Sequence, residues 1–145
     1  MMKYFILGML ALLLTGCSKF SDEELLKHYF EMPSSDFKNV QTLYEGYEIV
    51  RVYFKFQMNG EGAYHKLENF LNKYFIKIDI SKLSVPQKEN YSAGHFKWWN
   101  PPLPSESCQL YRIGANAEKN ITLGYVLIDK KTNIIYASFI NATPQ

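Results

Sequence analysis

From Ile49 to Met58 the apolar residues fall on every second position. Val50, Val52, Phe54, Phe56 and Met58 point one way and Arg51, Lys55 and Gln57 the other, with the ring of Tyr53 interrupting the polar side. A period of two is the mark of a strand with one buried face. Asn59-Gly60 closes it as a turn pair, and the period then changes. Between Ala63 and Tyr74, Leu67, Phe70, Leu71 and Tyr74 recur at helical spacing, with Lys66, Glu68, Asn69, Asn72 and Lys73 on the remaining surface, which predicts an amphipathic helix. A half-buried strand running into a one-faced helix restricts the chain to folds in which sheet and helix cover each other.

Three further β-patterned runs lie in the last third: Cys108 to Ile113, Asn120 to Ile128, and Ile134 to Ile140. A polar loop, Gly114 to Lys119, and the turn Asp129-Lys130-Lys131-Thr132-Asn133 join them as an antiparallel meander. Near the other end, Ser21-Asp22-Glu23-Glu24 has capping-box form and leads into Leu25, Leu26, Tyr29 and Phe30, predicting a helix near 22–31 that stops before Pro33. The expected fold is α+β: a small antiparallel sheet, made of the strand near 49–58 and the three-strand meander 108–140, packed against the amphipathic helix near 63–74, with the N-terminal helix beside it. Pro33 to Gly46 reads as a connecting stretch with a short helical turn near Phe37 to Leu43, and Ile76, Ile78 and Ile80 as a short strand or extended exit. Residues 82–107, with Pro86, Pro101, Pro102 and Pro104, show no regular element, a length of irregular chain unusual in a compact domain unless it is functional or holds an element that the pattern does not reveal.

The first residues stand apart. Met1-Met2-Lys3-Tyr4 precede an apolar run from Phe5 to Leu14 that holds one glycine and no charge, too short to span a bilayer and shaped like a secretory signal. The run exits through Leu14-Thr15-Gly16-Cys17. These residues resemble the lipobox of bacterial lipoproteins. That resemblance implies a diacylglyceryl thioether on Cys17, further acylation (palmitate-type chains) and removal of residues 1–16. What remains is a short lipidated tether, 17–21, and a single α+β domain, 22–145. Several acyl chains hold a domain at a membrane without a spanning segment. Ser18 stands where the sorting-avoidance signal of enteric-type lipoproteins has Asp, so the resemblance implies the periplasmic face of the outer membrane, with the inner membrane as the alternative.

Composition limits the function classes. The full chain has 145 residues, and removing the first 16 leaves 129, enough for one domain and too few for separate cofactor and substrate domains. Hydrophobic residues make up 47% and aromatic residues 16%, which marks a folded chain. A net charge of +2 is too small to suggest a nucleic-acid surface. With Cys17 acylated, Cys108 has no intrachain partner, and is either a buried thiol or an exposed one able to pair between chains.

No motif for a catalytic, cofactor or metal site emerges. His28, His65 and His95 include no close-spaced pair of the kind tetrahedral zinc sites use, and read as surface or half-buried side chains with local partners. His95 near Glu89, Tyr91 and Ser92 can be drawn as a hydrolytic group, but no nucleophile-elbow sequence supports it. Glu23-Glu24 belongs to helix capping, and Glu45 and Glu48 flank a strand start. The triplets Asn120-Ile121-Thr122 and Asn141-Ala142-Thr143 fit glycosylation sequons, which carry no meaning in a bacterial lipoprotein. Phe96-Lys97-Trp98-Trp99 is the densest aromatic cluster outside the periodic segments. One reading has one indole pinning the loop across the sheet while its neighbour points outward. The other has Tyr91, His95, Phe96, Lys97, Trp98 and Trp99 forming a partner-binding face, because Trp and Tyr dominate interface hot spots.

In size, anchoring and α+β pattern the chain resembles two groups of lipoproteins: envelope-binding lipoproteins and lipidated toxin-immunity proteins. The expectation is a non-catalytic periplasmic lipoprotein, held at the membrane through Cys17, that binds a protein partner without a cofactor. Envelope assembly or peptidoglycan binding is the alternative, a small hydrolase is the third reading, and nucleic acid is not expected.

Overall fold

The computed structural model describes residues 21–45, 49–94, 96–116 and 121–142. The signal-like segment, Cys17 with most of its tether, Glu48, His95 and the second half of the Gly114 to Lys119 loop lie outside the described residues. The first helix, α1 (Asp22–Phe30), begins as its sequence dictates. The Ser21 hydroxyl accepts from the Glu24 N–H at 3.2 Å, and the Glu24 carboxylate accepts from the Ser21 N–H at 2.9 Å. It ends where Glu31 turns left-handed (φ 57°) ahead of Pro33. Its buried stripe is Leu25, Leu26, Tyr29 and Phe30.

A single 3-10 turn (Ser34–Asp36) leads to β1 (Phe37–Glu45), followed by β2 (Ile49–Met58) and α2 (Glu61–Tyr74). The chain continues through β3 (Ile76–Ile78), a second 3-10 turn (Ile80–Lys82) and α3 (Val85–Ser92) to β4 (Cys108–Ile113), β5 (Leu123–Asp129) and β6 (Ile134–Ala142). The six strands form one sheet in the order β1-β2-β6-β5-β4-β3, with every neighbouring pair antiparallel. The expected strand, meander and two helices are all present, so the fold is α+β.

One face of the sheet carries Val50, Val52, Phe54 and Phe56 of β2, Ile135, Ala137 and Phe139 of β6, and Val126 and Ile128 of β5. Helices α1 and α2 cover it with Leu26, Phe30, Leu67, Phe70 and Leu71. Phe30, fully buried, sits at the centre, its ring 5.3–6.1 Å from those of Phe37, Phe54, Phe56, Phe70 and Phe139. Gly124 lies opposite Phe139 in the register, and a Cβ built on it would fall 2.5 Å from Phe139 Cδ1, so the ring occupies space that only glycine leaves.

Two segments differ from the sequence expectation. Residues 37–45 form a strand where a connection with a helical turn was expected. The register with β2 shifts between Lys38 and Gln41, and Asn39 adopts φ 54° while its amide donates to Gln57 Oε1 at 2.7 Å. This bulge inserts one residue, so Phe37 and Val40 both reach the helix-side core three positions apart, a spacing that imitates a helix. Within 82–107, α3 exists without burying any residue. Its signal is the capping box of Ser84 with Gln87 and Pro86 in its first turn, not an apolar stripe.

Candidate binding surface

The second face of the sheet is also apolar at its centre: Tyr53, Leu110, Leu127 and Tyr136 are buried there together with Cys108. Residues 79–107 cover it. Asp79 caps the turn Ile80–Lys82 by accepting from the Ser81 hydroxyl at 2.6 Å and the Ser81 N–H at 3.1 Å, which holds its carboxyl below the usual range. After α3 the chain crosses the sheet, and a turn closed by the Trp99 N–H on the Phe96 carbonyl at 3.1 Å drives Trp99 inward. Its indole, 1% exposed, meets Tyr53 at 5.0 Å and Tyr136 at 5.6 Å, both edge to face. Lys55, one of the polar-side residues of β2, fastens the crossing by donating to the Trp98 carbonyl at 3.1 Å and to Asn100 Oδ1 at 2.8 Å. Pro101 and Pro104 are buried beyond it.

Of the residues singled out from the sequence, Trp99 therefore pins the loop, and it presents no surface to a partner. Trp98 and Phe96 are half-buried and pack edge to face at 4.6 Å, and Lys97 is exposed beside them. Tyr91, on the last turn of α3, packs against Tyr125 at 5.0 Å and takes the Tyr125 hydroxyl on its carbonyl oxygen at 3.4 Å. Burial, and secondarily the neighbouring Tyr53 and Tyr91, push the Tyr125 phenol far above its ordinary value, so it stays a neutral donor. Cys108 is buried, with the Ser105 hydroxyl 4.0 Å from its sulfur.

The other candidates stay apart. His65 pairs with Glu61 (3.6 Å) and Glu68 (3.4 Å) on its own helix, while exposed His28 packs edge to face on Tyr29 at 4.9 Å. The Ser92 hydroxyl donates to the Glu89 carbonyl at 3.2 Å, a bond internal to α3. Among the described residues no group of three His, Cys, Asp or Glu side chains gathers as a metal would need, and no helix is long and apolar enough to cross a membrane.

The covering segment stops short of one end of this face. There the register aligns Arg51 of β2, Ile140 of β6 and Leu123 of β5 in one row, and Tyr53, Ser138, Tyr125, Arg112 and Ile76 in the next. Alternation places Arg51, between buried Val50 and Val52, and Arg112, between buried Tyr111 and Ile113, on this same face. They are the only two arginines of the chain. Neither forms an ion pair among the described residues, although Glu45 stands opposite Arg51 in the register. Ile49 (60% exposed), Leu123 (41%) and Ile76 (72%) add apolar surface. A groove of about 460 Å³ separates this area from α3, with Gln87, Asn90 and Tyr91 on one bank and Arg112, Leu123 and Tyr125 on the other.

Sequence reasoning assigned Arg51 to the polar side of its strand and gave Arg112 no role. What joins them is the order of strands that are not consecutive in the chain. Compared with protein-family models, with curated proteins and with solved structures, the chain matches none of them.

Proposed function

We propose that this chain is a non-catalytic lipoprotein, anchored through acylated Cys17 on the periplasmic face of the outer membrane, that binds a protein partner of the cell envelope in the manner of a toxin-immunity protein. The observation that supports partner binding is the uncovered end of the second sheet face, where exposed aliphatic side chains lie beside two arginines that have no ion-pair partner among the described residues. Apolar area rimmed by polar groups is characteristic of protein interfaces, and arginine and tyrosine are enriched among the residues that dominate them. β6 and β5 lie between β2 and β4, and Arg112 is level with Tyr53 rather than Arg51, so three strand spacings of about 4.8 Å and an offset of two residues, about 6.7 Å, set the arginine-bearing backbones roughly 16 Å apart, a span that one strand or helix of a partner can bridge. Each guanidinium is able to take a partner carboxylate through two parallel hydrogen bonds.

The experiment is site-directed photo-crosslinking in cells, with the photoreactive residue at Leu123 in the full-length chain and at exposed Lys130 as a control. The expected result is one protein captured at 123 and absent at 130, with capture lost in Arg112→Glu. Equal capture at both positions, or capture at 123 that Arg112→Glu leaves unchanged, would refute the assignment of this face. A captured toxin supports the immunity reading, whereas an envelope-assembly complex or wall fragment replaces it with the alternative.

A further inference from the structure

A second cavity lies on the helix side, where α1 meets the ends of β1 and β6. Its volume is about 390 Å³, at the small end of ligand pockets, and Glu24, Leu25, His28, Tyr29, Tyr44 and Asn141 line it. Asn141 is its polar centre. The Asn141 Nδ2 donates to the Tyr29 hydroxyl, while Asn141 Oδ1 is buried with no hydrogen-bond partner among the described residues. Native structures leave few buried acceptors unmatched, and each one calls for an explanation. The Tyr29 ring is fixed by stacking on Phe139 at 4.7 Å, and burial pushes its phenol up to about 12, so it remains uncharged. Glu24, exposed and lining the cavity, uses Oε2 for the Ser21 N–H, and Asp22 and Glu23 share the same helical turn.

We infer that this cavity is a binding site for a small organic ammonium. An orphan acceptor, a rim carboxylate and two tyrosine rings favour a cationic donor: the nitrogen gains a hydrogen bond, an opposite charge and ring faces together. Among the described residues no lysine or arginine lines the cavity to repel it, and Leu25 supplies an apolar wall for a short hydrocarbon body. An anion would meet the Glu24 carboxylate and the orphan oxygen, both of which repel it.

The test uses the isotopically labelled full-length chain in detergent micelles, titrated to about 50 mM with benzylamine, benzyl alcohol or benzoate while amide NMR shifts are followed, a range that reaches millimolar affinities. Benzylamine is expected to shift the Asn141 side-chain signal and the amides of residues 25–29 and 44 in a saturable way, with benzyl alcohol at least tenfold weaker and benzoate without effect. Glu24→Gln retains the capping pattern and is expected to weaken benzylamine about fivefold, and Asn141→Leu to abolish saturable binding. Glu24→Gln keeps the test independent of whether Asn141→Leu folds. Absence of saturable shifts would mean that water alone satisfies Asn141 and would overturn the inference. Equal binding of benzyl alcohol, or binding of benzoate instead, would overturn it too, the last by showing that the amide turns its NH₂ group to the cavity.

Discussion

Replacing Trp99 by alanine separates a pinning role from a binding role for the aromatic cluster. Trp99 is 1% exposed and its ring lies against Tyr53, Tyr136, Phe96 and Trp98. Truncating a buried aromatic side chain costs about 3–5 kcal/mol through lost transfer energy and the void left behind. The Lys55 bonds to the Trp98 carbonyl and Asn100 sit on the polypeptide that Trp99 positions, so part of their contribution goes with it and the upper half of that range is expected. With a urea slope of about 1.5 kcal/mol/M, a loss of 4 kcal/mol moves the unfolding midpoint down by roughly 2.5 M. Half-buried Trp98 leaves a shallower gap, and Trp98→Ala is expected to cost about 1 kcal/mol, under 1 M of midpoint. Urea unfolding of the full-length chain in mild detergent, followed by far-UV circular dichroism, reads both variants. Equal destabilisation by the two, or a Trp99→Ala cost below 1 kcal/mol, would refute the assignment of Trp99 as the residue that fastens residues 96–104 to the sheet.

Gly124→Ala places a methyl group where Phe139 Cδ1 lies only 2.5 Å away, and a cost of about 2–3 kcal/mol is expected as a fall in thermal midpoint; an unchanged midpoint would show that the Phe139 ring moves aside freely. Tyr29 is raised from 10.0 to about 12 and Tyr125 is raised further, both first by burial, so above pH 10 the unfolded chain loses protons that the folded chain retains. Their contribution to stability is whole below pH 10 and is lost as pH climbs through 12, and Tyr125→Phe should flatten that decline in urea midpoints measured from pH 9 to 12. Cys17→Ser removes the proposed acylation site; the expected outcome is loss of palmitate labelling and release from the membrane fraction, and retention of label would refute the lipobox reading.

Each part of the fold was legible wherever one period ran uninterrupted. The alternation of β2 and the helical stripe of α2 survive in the structure because each element keeps one continuous buried face, although β2 also buries Tyr53 on its other side. The same reading failed at β1, where a bulge put Phe37 and Val40 on one face at an interval of three. It failed differently at α3, which buries nothing and is marked only by its cap. A period scan detects burial, so a helix without a buried stripe leaves it no signal.

Site residues follow a harsher rule, because a site depends on which strands become neighbours. Alternation alone places Arg51 and Arg112 on one or the other side of their own strands. It does not reveal that α2 carries the chain from β2 to the far edge, so that β3 and β4 return through β5 and β6 to rejoin β2 and bring both arginines to one face. The aromatic cluster was conspicuous in the sequence, yet the turn between Phe96 and Trp99 decides which ring enters the core, and adjacent indoles look alike until that turn is known. Asn141 was readable only as the first residue of a sequon. Packing bonds its amide to Tyr29 and buries its oxygen, which removes it as an acceptor for a glycan and leaves a group with no partner among the described residues.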